Sequence, residues 1–384
     1  MTLFIRGFLL NHPFVFHEYT KIKLEAKKKM SADKKKEIND QKPGVGEVFL
    51  GIDLGTSRTA VVSTTGAKSM FRSLVGYPKD IIARHHIQKD WLIGDEAIEK
   101  KSSLNMFKPL ESGVIRESPD KKDIDAVKVI LETAIKEANP SPGALINAVI
   151  GVPAEASIKN IDVLFDICKD LFDTALVVSE PFLVAYSENH VVDAIVVDFG
   201  AGTTDICILQ GALPTSRDQF TSLEAGDYLD KCLRAKIMAK YPNIQVTLNQ
   251  VRLFKEQYSF VGEASSPCKV KVRKRGKPIE IDITEEIKSE CEALVPDIVR
   301  LIEHLVTEFD PERQEEVLKN IYLAGGGSQI KGIDAMIEEK LKSYGDIKVT
   351  CVKDPDFVGC EGALKIAREI PLKDWEQIGP VCRK

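Results

Sequence analysis

The sequence predicts an α/β protein made of two similar halves that face each other across a cleft. Three observations carry this: an acidic, glycine-punctuated turn written twice, an alternation of β-branched runs with helical periodicity, and a strand–triple-glycine–helix segment near the end. The first turn reads Gly51-Ile-Asp-Leu-Gly-Thr-Ser-Arg-Thr59 and the second Val196-Val-Asp-Phe-Gly-Ala-Gly-Thr-Thr-Asp205. Aligned on Asp53 and Asp198, both are Asp-x-Gly-x-x-x-Thr, so Gly55 matches Gly200 and Thr59 matches Thr204. Each lies between short apolar runs, 48–52 and 60–62 in the first copy, 194–197 and 206–209 in the second. Apolar runs around a glycine turn read as a hairpin, and a repeated hairpin reads as a repeated half-molecule.

Composition sets the bounds. A chain of 384 residues, 43% hydrophobic and 29% charged, can form two domains that each bury a core. The net charge is −5, but residues 1–46 hold ten Lys/Arg against five Asp/Glu, so the remainder is more acidic than the total. An acidic body lacks the broad basic footprint of a general nucleic-acid binder. The eight cysteines form no Cys-x-x-Cys pair and read as small hydrophobes of a reducing cytoplasm. No apolar run reaches the length of a membrane span.

Along the chain, residues 1–46 do not conform to the rest and read as a basic extension. Codons for Leu24-Glu25-Ala26 can spell a ribosome-binding sequence ahead of Met30, which makes Met30 the expected start. An amphipathic membrane anchor is the rival reading. The expected first domain comprises 47–190 and 351–384 with an insertion at about 76–113; the second comprises 191–350 with an insertion at about 225–284. A helix is predicted over 123–138, a strand over 147–152, a helix over 158–172 and a strand over 175–178. Ser179-Glu180-Pro181 then starts a helix that runs to 189, with Pro at its first turn. Helices follow at 228–240 and 251–260. The run 269–277 holds six positive charges in nine residues, and Arg275-Gly276 marks a hairpin turn. It reads as a charged edge strand that discourages aberrant pairing, with a docking patch as the alternative. Helices at 285–306 and 311–319 lead to a strand at 320–324, the Gly325-Gly326-Gly327-Ser328 turn and a helix to 343.

The candidate site follows from these elements. Amides in a tight glycine turn can surround an anion, and a carboxylate at its mouth can hold a cation. A nucleotide with its Mg²⁺ needs both. Thr56, Ser57, Gly202, Thr203 and Thr204 offer donors to phosphate oxygens, while Asp53 is the candidate Mg²⁺ organiser, through bound water. Glu180 alone would read as a residue complementing a helix dipole. Its position at the end of a buried strand, one helix before Asp198, instead sets two carboxylates where they could orient a water. The triple glycine suits close backbone approach to a nucleotide and lacks the third glycine of the dinucleotide fingerprint. Lys255-Glu256, on a helix, would ordinarily be solvated surface.

Together the motifs resemble the actin and heat-shock ATPase superfamily. Gly51-Ile-Asp-Leu-Gly-Thr-Ser57 resembles its phosphate-one motif, with Gly55 in the turn, and Val197-Asp-Phe-Gly-Ala-Gly-Thr-Thr-Asp205 its phosphate-two motif, with Gly200 equivalent. Leu323-Ala-Gly-Gly-Gly-Ser328 resembles the adenosine motif, and Ser179-Glu-Pro181 and 359–363 the two connecting motifs. The resemblance spans 47 to about 370 and implies an actin-like ATPase fold: two duplicated α/β domains, each a mixed sheet flanked by helices, with an inserted subdomain in each and the nucleotide in the cleft. It implies ATP and Mg²⁺ as ligands, catalytic roles for Glu180 and Asp198 in positioning water, Mg²⁺ held by Asp53 and Asp198, and nucleoside contacts from Lys255 and Glu256. Ser73-Leu-Val-Gly-Tyr-Pro-Lys-Asp80 and Lys255-Glu-Gln-Tyr-Ser-Phe-Val-Gly262 are similar to the bacterial actin-like proteins that align magnetosomes. That implies a homopolymeric cytoplasmic filament beside the magnetosome chain and an adaptor protein on magnetosome membranes. Actin-like filaments for cell shape or plasmid segregation are the alternative. A chaperone-type ATPase would want a further substrate domain, and a sugar kinase a larger specificity insertion.

Overall fold

The computed structural model describes residues 46–115 and 119–384; the basic extension up to residue 45 and the expected Met30 start lie outside the described residues. Two large sheets repeat one plan. In the first, Glu47–Leu54, Arg58–Ser63 and Lys68–Arg72 form an antiparallel meander, and Leu145–Val152 and Thr174–Ser179 add in parallel on the other side of Glu47–Leu54. Val381–Arg383 closes that edge antiparallel. In the second, Val192–Phe199, Thr204–Gln210 and Gln219–Ser222 form the meander, with Ile321–Ala324 and Val349–Cys351 added in parallel. Each acidic turn therefore leaves the carboxyl end of a central strand where an antiparallel neighbour gives way to a parallel one. Such a switch in strand order opens a crevice for ligands.

The central strands are buried on both faces, which is why they read as continuous apolar runs. Leu50 and Ile52 join Ile130, Ile150 and Phe172 on the outer side of the first sheet. Val197, Ile206, Leu233, Ile302 and Leu323 do the same for the second. Phe49 and Val196 point the other way, into a third cluster with Leu183, Ala363 and Trp375 that lies between the sheets. Its helices are Glu180–Glu188 and Val358–Glu369. They approach at glycine: a Cβ on Gly51 would collide with the Cys360 carbonyl, and one on Gly362 with the Leu183 carbonyl. The stack of strand, helix and helix thus ties the two sheets together behind the cleft.

Two small three-stranded sheets project from this frame. One contains Val75–Pro78, Leu92–Ile93 and Leu104–Phe107; the other contains Ile244–Gln245, Lys269–Lys274 and Lys277–Asp282. The second corrects the edge-strand reading of the basic run. Lys269–Lys274 is the middle strand, paired along its length with Lys277–Asp282 and at its far end with Ile244–Gln245. Local details also differ from expectation. Ser179 precedes its helix without a side-chain capping bond. The glycine run enters a 3₁₀ turn, Gly326–Gln329, and the α-helix begins only at Ile333, so the helix that follows does not start at the glycines. Six of the eight cysteines are buried and all are free thiols, and no described helix is long and apolar enough to cross a membrane.

Candidate functional site

The two acidic turns open into one cavity of about 280 Å³. Register explains why carboxylates gather at its floor. Asp53 pairs with Gly151, and Gly151 with Val178, so Glu180 emerges just beyond the end of the strand two places away. In the other sheet Asp198 lies opposite Asp205 on one side and Ala324 on the other. Asp53, Glu180 and Asp198 all line the cavity. Asp205 sits behind it, 1% exposed, where it accepts from the Ala154 amide at 2.9 Å and the Thr221 hydroxyl at 2.5 Å. It thereby pins the loop after Leu145–Val152 to the second sheet.

Electrostatics at the floor favour an incoming cation. Burial, helped by the Asp356 charge, pushes the Asp53 carboxyl up to about 6. Burial, and then the charges of Asp53, Asp205 and Asp198, raises Glu180 well above the usual carboxylate range. Asp198 is raised by burial and then by Asp53 and Asp205. Glu180 Oε1 is buried without a hydrogen-bond partner among the described residues. A desolvated carboxylate in that state is costly and is relieved by a proton, a polarised water or a nearby cation. Among the described residues no three acidic, His or Cys side chains converge as a direct metal site. The carboxylates of Asp53 and Asp198 at the cavity wall suit a Mg²⁺ held through its water shell.

The remaining predicted residues divide into two groups. Gly55, Thr56 and Ser57 of the first turn, Gly200, Gly202 and Thr203 of the second, and Gly325, Gly326 and Gly327 all line the cavity. Glycine is required at two of these places by close approach. A Cβ on Gly202 would collide with Thr56 Oγ1 and come within 2.9 Å of Ser112 Cα, and one on Gly327 would overlap the Phe199 ring. Thr56 Oγ1 meanwhile accepts from the Gly113 amide at 2.6 Å, so the loop 112–113 is wedged between the two turns.

Thr204 and Ser328 are not in the wall. Thr204 is 2% exposed and donates to the Glu224 carbonyl at 3.2 Å, while Ser328 donates to the Gly325 carbonyl at 2.7 Å. Thr59, the partner of Thr204 in the repeat, bonds the Ser73 hydroxyl at 2.8 Å. The Thr shared by both turns is a brace, and its hydroxyl is spent on the fold.

Lys255 is partly buried, and Glu256, though exposed, borders the cavity. The helix Leu248–Tyr258 turns Arg252, Lys255 and Glu256 to the cleft, the i, i+3, i+4 face. Lys255 Nζ donates to the Gly226 carbonyl at 2.7 Å and pairs with the buried Asp230 at 2.8 Å. Glu256 pairs with Arg58 at 3.3 Å, and Arg58 reaches Asp356 at 3.6 Å. Arg252 pairs with Asp227 and Asp230 and donates to Ser57 Oγ at 3.4 Å. Arg58, Arg252, Asp227 and Asp356 were not singled out from sequence. For Arg58 a signal existed, since it stands where the second copy has Thr203; for the others pairing across the fold is the only signal.

The raised carboxylates give a pH dependence with a definite sign. A carboxyl whose folded pKa lies above its unfolded value near 4 binds more protons when folded, so stability falls as pH rises. The penalty is full above the folded value and is relieved as pH drops through it, from about 6 for Asp53. Lowering pH from neutrality toward 5 should therefore raise the melting temperature of the nucleotide-free wild type more than that of Asp53→Asn. Parallel melting curves for the two across that range would contradict a buried Asp53 charge.

Comparison with known proteins places this geometry. The profile of the MreB/Mbl protein family matches residues 47–374. Actin-like protein MamK of Paramagnetospirillum magneticum is 47% identical over 334 residues, covering 87% of this chain and 96% of that protein. A solved MamK double helical filament superposes with a TM-score of 0.82 at 47% identity, covering 85% of this chain and all of the other. A non-polymerising MamK mutant bound to AMPPNP superposes with a TM-score of 0.67 at 46% identity, covering 84% and 99%. The duplicated α/β architecture seen here is that of these structures.

Proposed function

This chain belongs to the MreB/Mbl family of actin-like proteins, and we propose that it binds ATP in the cleft, hydrolyses it, and assembles into filaments whose dynamics follow the hydrolysis. The observation that carries the hydrolytic part is Glu180: a buried carboxylate with an unpartnered oxygen, at the end of a strand, facing Asp198 and Asp53 across one cavity. The amides of Thr56, Ser57, Ala201 and Gly202 would receive the phosphates, and the helix carrying Lys255 and Glu256 the nucleoside. Glu180 then orients a water against the terminal phosphate and takes its proton, a role that its raised proton affinity suits. Asp198 fixes the same water from the opposite turn. Asp53 and Asp198 would hold Mg²⁺ through its water shell, where it neutralises phosphate charge.

The coupling to assembly is mechanical. We read 47–190 with 351–384, and 191–350, as two domains carrying insertions at 76–113 and 225–284. A ligand that touches both turns favours their closed arrangement, and cleavage of the γ-phosphate removes part of that bias. The MamK double helical filament, which matches 85% of this chain, supports the filament reading. In the cell we place the filament in the cytoplasm beside magnetosomes, joined to their membranes by an adaptor protein, as the motif resemblance implies. Sedimentation and negative-stain microscopy of the purified protein test assembly. Filaments are expected with ATP and Mg²⁺ and not without nucleotide; their absence across concentration and salt would overturn the reading.

A further inference from the structure

We propose that Arg58 guards the nucleoside end of the cleft: its guanidinium occupies Glu256 until a nucleotide displaces it, and Asp356 then receives it. The inference rests on the nucleotide reading above and deepens it by naming what a nucleotide must displace in order to seat.

Nothing in the fold calls for an arginine at this place. The second turn carries Thr203 at the equivalent position, 4% exposed, and closes there with the Gly200 amide on the Thr203 carbonyl at 2.9 Å. Within the first sheet Arg58 lies directly opposite Arg72, and like charges across a strand pair destabilise it. Arg72 is held by Asp95 at 2.7 Å, whereas Arg58 lines the cavity.

The contacts of Arg58 come from two distant segments. Nη2 reaches Glu256 Oε1 at 3.3 Å, and Nη1 reaches Asp356 Oδ1 at 3.6 Å. Glu256 belongs to the helix Leu248–Tyr258, and Asp356 precedes the helix Val358–Glu369. Both carboxylates line the cavity. Among the described residues Glu256 has no other ion-pair partner, and the adjacent Lys255 is committed to Asp230 and the Gly226 carbonyl. From the same helix Arg252 donates to Ser57 Oγ at 3.4 Å, so an i, i+4 pair grips two consecutive residues of the first turn. The carboxylate expected to meet the nucleoside is therefore occupied before any nucleotide arrives.

The tie is of a kind that exchanges readily. The three side chains are 33% to 36% exposed, and ion pairs so exposed contribute little to stability. Arg58 already touches both carboxylates, so it passes to Asp356 by a small shift of its guanidinium. Glu256 is then free to accept from the nucleoside, and Arg58 keeps a counter-ion. A site whose competent form is a fraction of the population binds with an apparent affinity reduced by that fraction. A phosphate contact fits Arg58 less well, because its guanidinium is directed to the two carboxylates and not to the amides of the turns.

Association and dissociation rates of ATP and of ADP, measured on the full chain by stopped flow, test the guard. Arg58→Ala should bind both nucleotides about threefold to fivefold more tightly than wild type, the upper part of the range for an exposed ion pair. The gain should come from faster association at an unchanged dissociation rate. Its sign is opposite to that expected from removing a cation beside a polyanion. Arg58→Gln, which keeps a long side chain without the charge, should behave in the same way. Asp356→Asn should slow association about threefold more in the wild-type background than in Arg58→Ala, since the direct effect of the lost charge is common to both. Melting temperatures serve as the control for folding. Weaker ATP binding by both Arg58 variants would assign the residue to the phosphates and overturn the guard. Unchanged affinity, or an Asp356→Asn effect equal in the two backgrounds, overturns it as well, while wild-type binding keeps the nucleotide reading intact. Wild-type protein that binds neither ATP nor ADP removes both.

Discussion

Replacing Glu180 by Ala should lower ATP turnover by at least about a hundredfold, the range lost when a positioned general base is removed. The same exchange should leave nucleotide binding and assembly in place, because the turns that line the cavity are untouched. Filaments of the variant should consequently persist long after those of the wild type have shortened. A second effect distinguishes this from general damage. Glu180 is buried with an unpartnered oxygen and is repelled by three carboxylates, so its removal should raise the melting temperature of the nucleotide-free protein. Such trading of stability for activity is expected at a catalytic position. Phosphate release at the wild-type rate would take Glu180 out of the mechanism. A lowered melting temperature would mean that its burial is compensated in a way the geometry does not reveal.

The largest structural effect is expected from Gly51→Ala. The added methyl group would meet the Cys360 carbonyl and the Leu364 amide. Both are helix backbone, so no rotamer change relieves the collision. The helix Val358–Glu369 must move away from the strand, yet Gly362 holds it equally close to Leu183 on its other side. Overpacking without a route of escape should cost about 3 kcal/mol, at the upper end of the usual range. Thermal or denaturant unfolding measures it directly. The start of that helix also borders the cavity through Val358 and Gly359, so weakened ATP binding should accompany the loss. Melting within a degree or so of wild type would contradict the close-packed stack.

What could be read from sequence was what is local. The Asp-x-Gly turns, their flanking strands and the Ser179-Glu180-Pro181 strand-to-helix junction are spelled within ten residues each, and the structure sets Asp53, Asp198 and Glu180 at one cavity. Where the reading failed, the deciding partner was distant in the chain. Thr204 looked like a ligand donor because a hydroxyl beside a glycine turn reads the same whether it faces a phosphate or braces a carbonyl. Lys255 looked solvated because nothing nearby in sequence announces Gly226 and Asp230. The basic strand looked like an edge because its outer neighbour, Ile244–Gln245, is only two residues long and carries no strand periodicity. Arg252 is tied to Ser57, 195 positions away.

The central claim is that one nucleotide is held between two duplicated turns and is cleaved there by water that Glu180 and Asp198 position, with filament assembly set by that cleavage. Simultaneous recording of phosphate release and light scattering, after mixing the purified protein with ATP and Mg²⁺, tests it most directly. Scattering should rise first, phosphate should follow at a rate that collapses in Glu180→Ala, and wild-type scattering should decline as ATP is exhausted. Phosphate release that is equal in wild type and variant, or scattering that rises and falls without it, would contradict the claim.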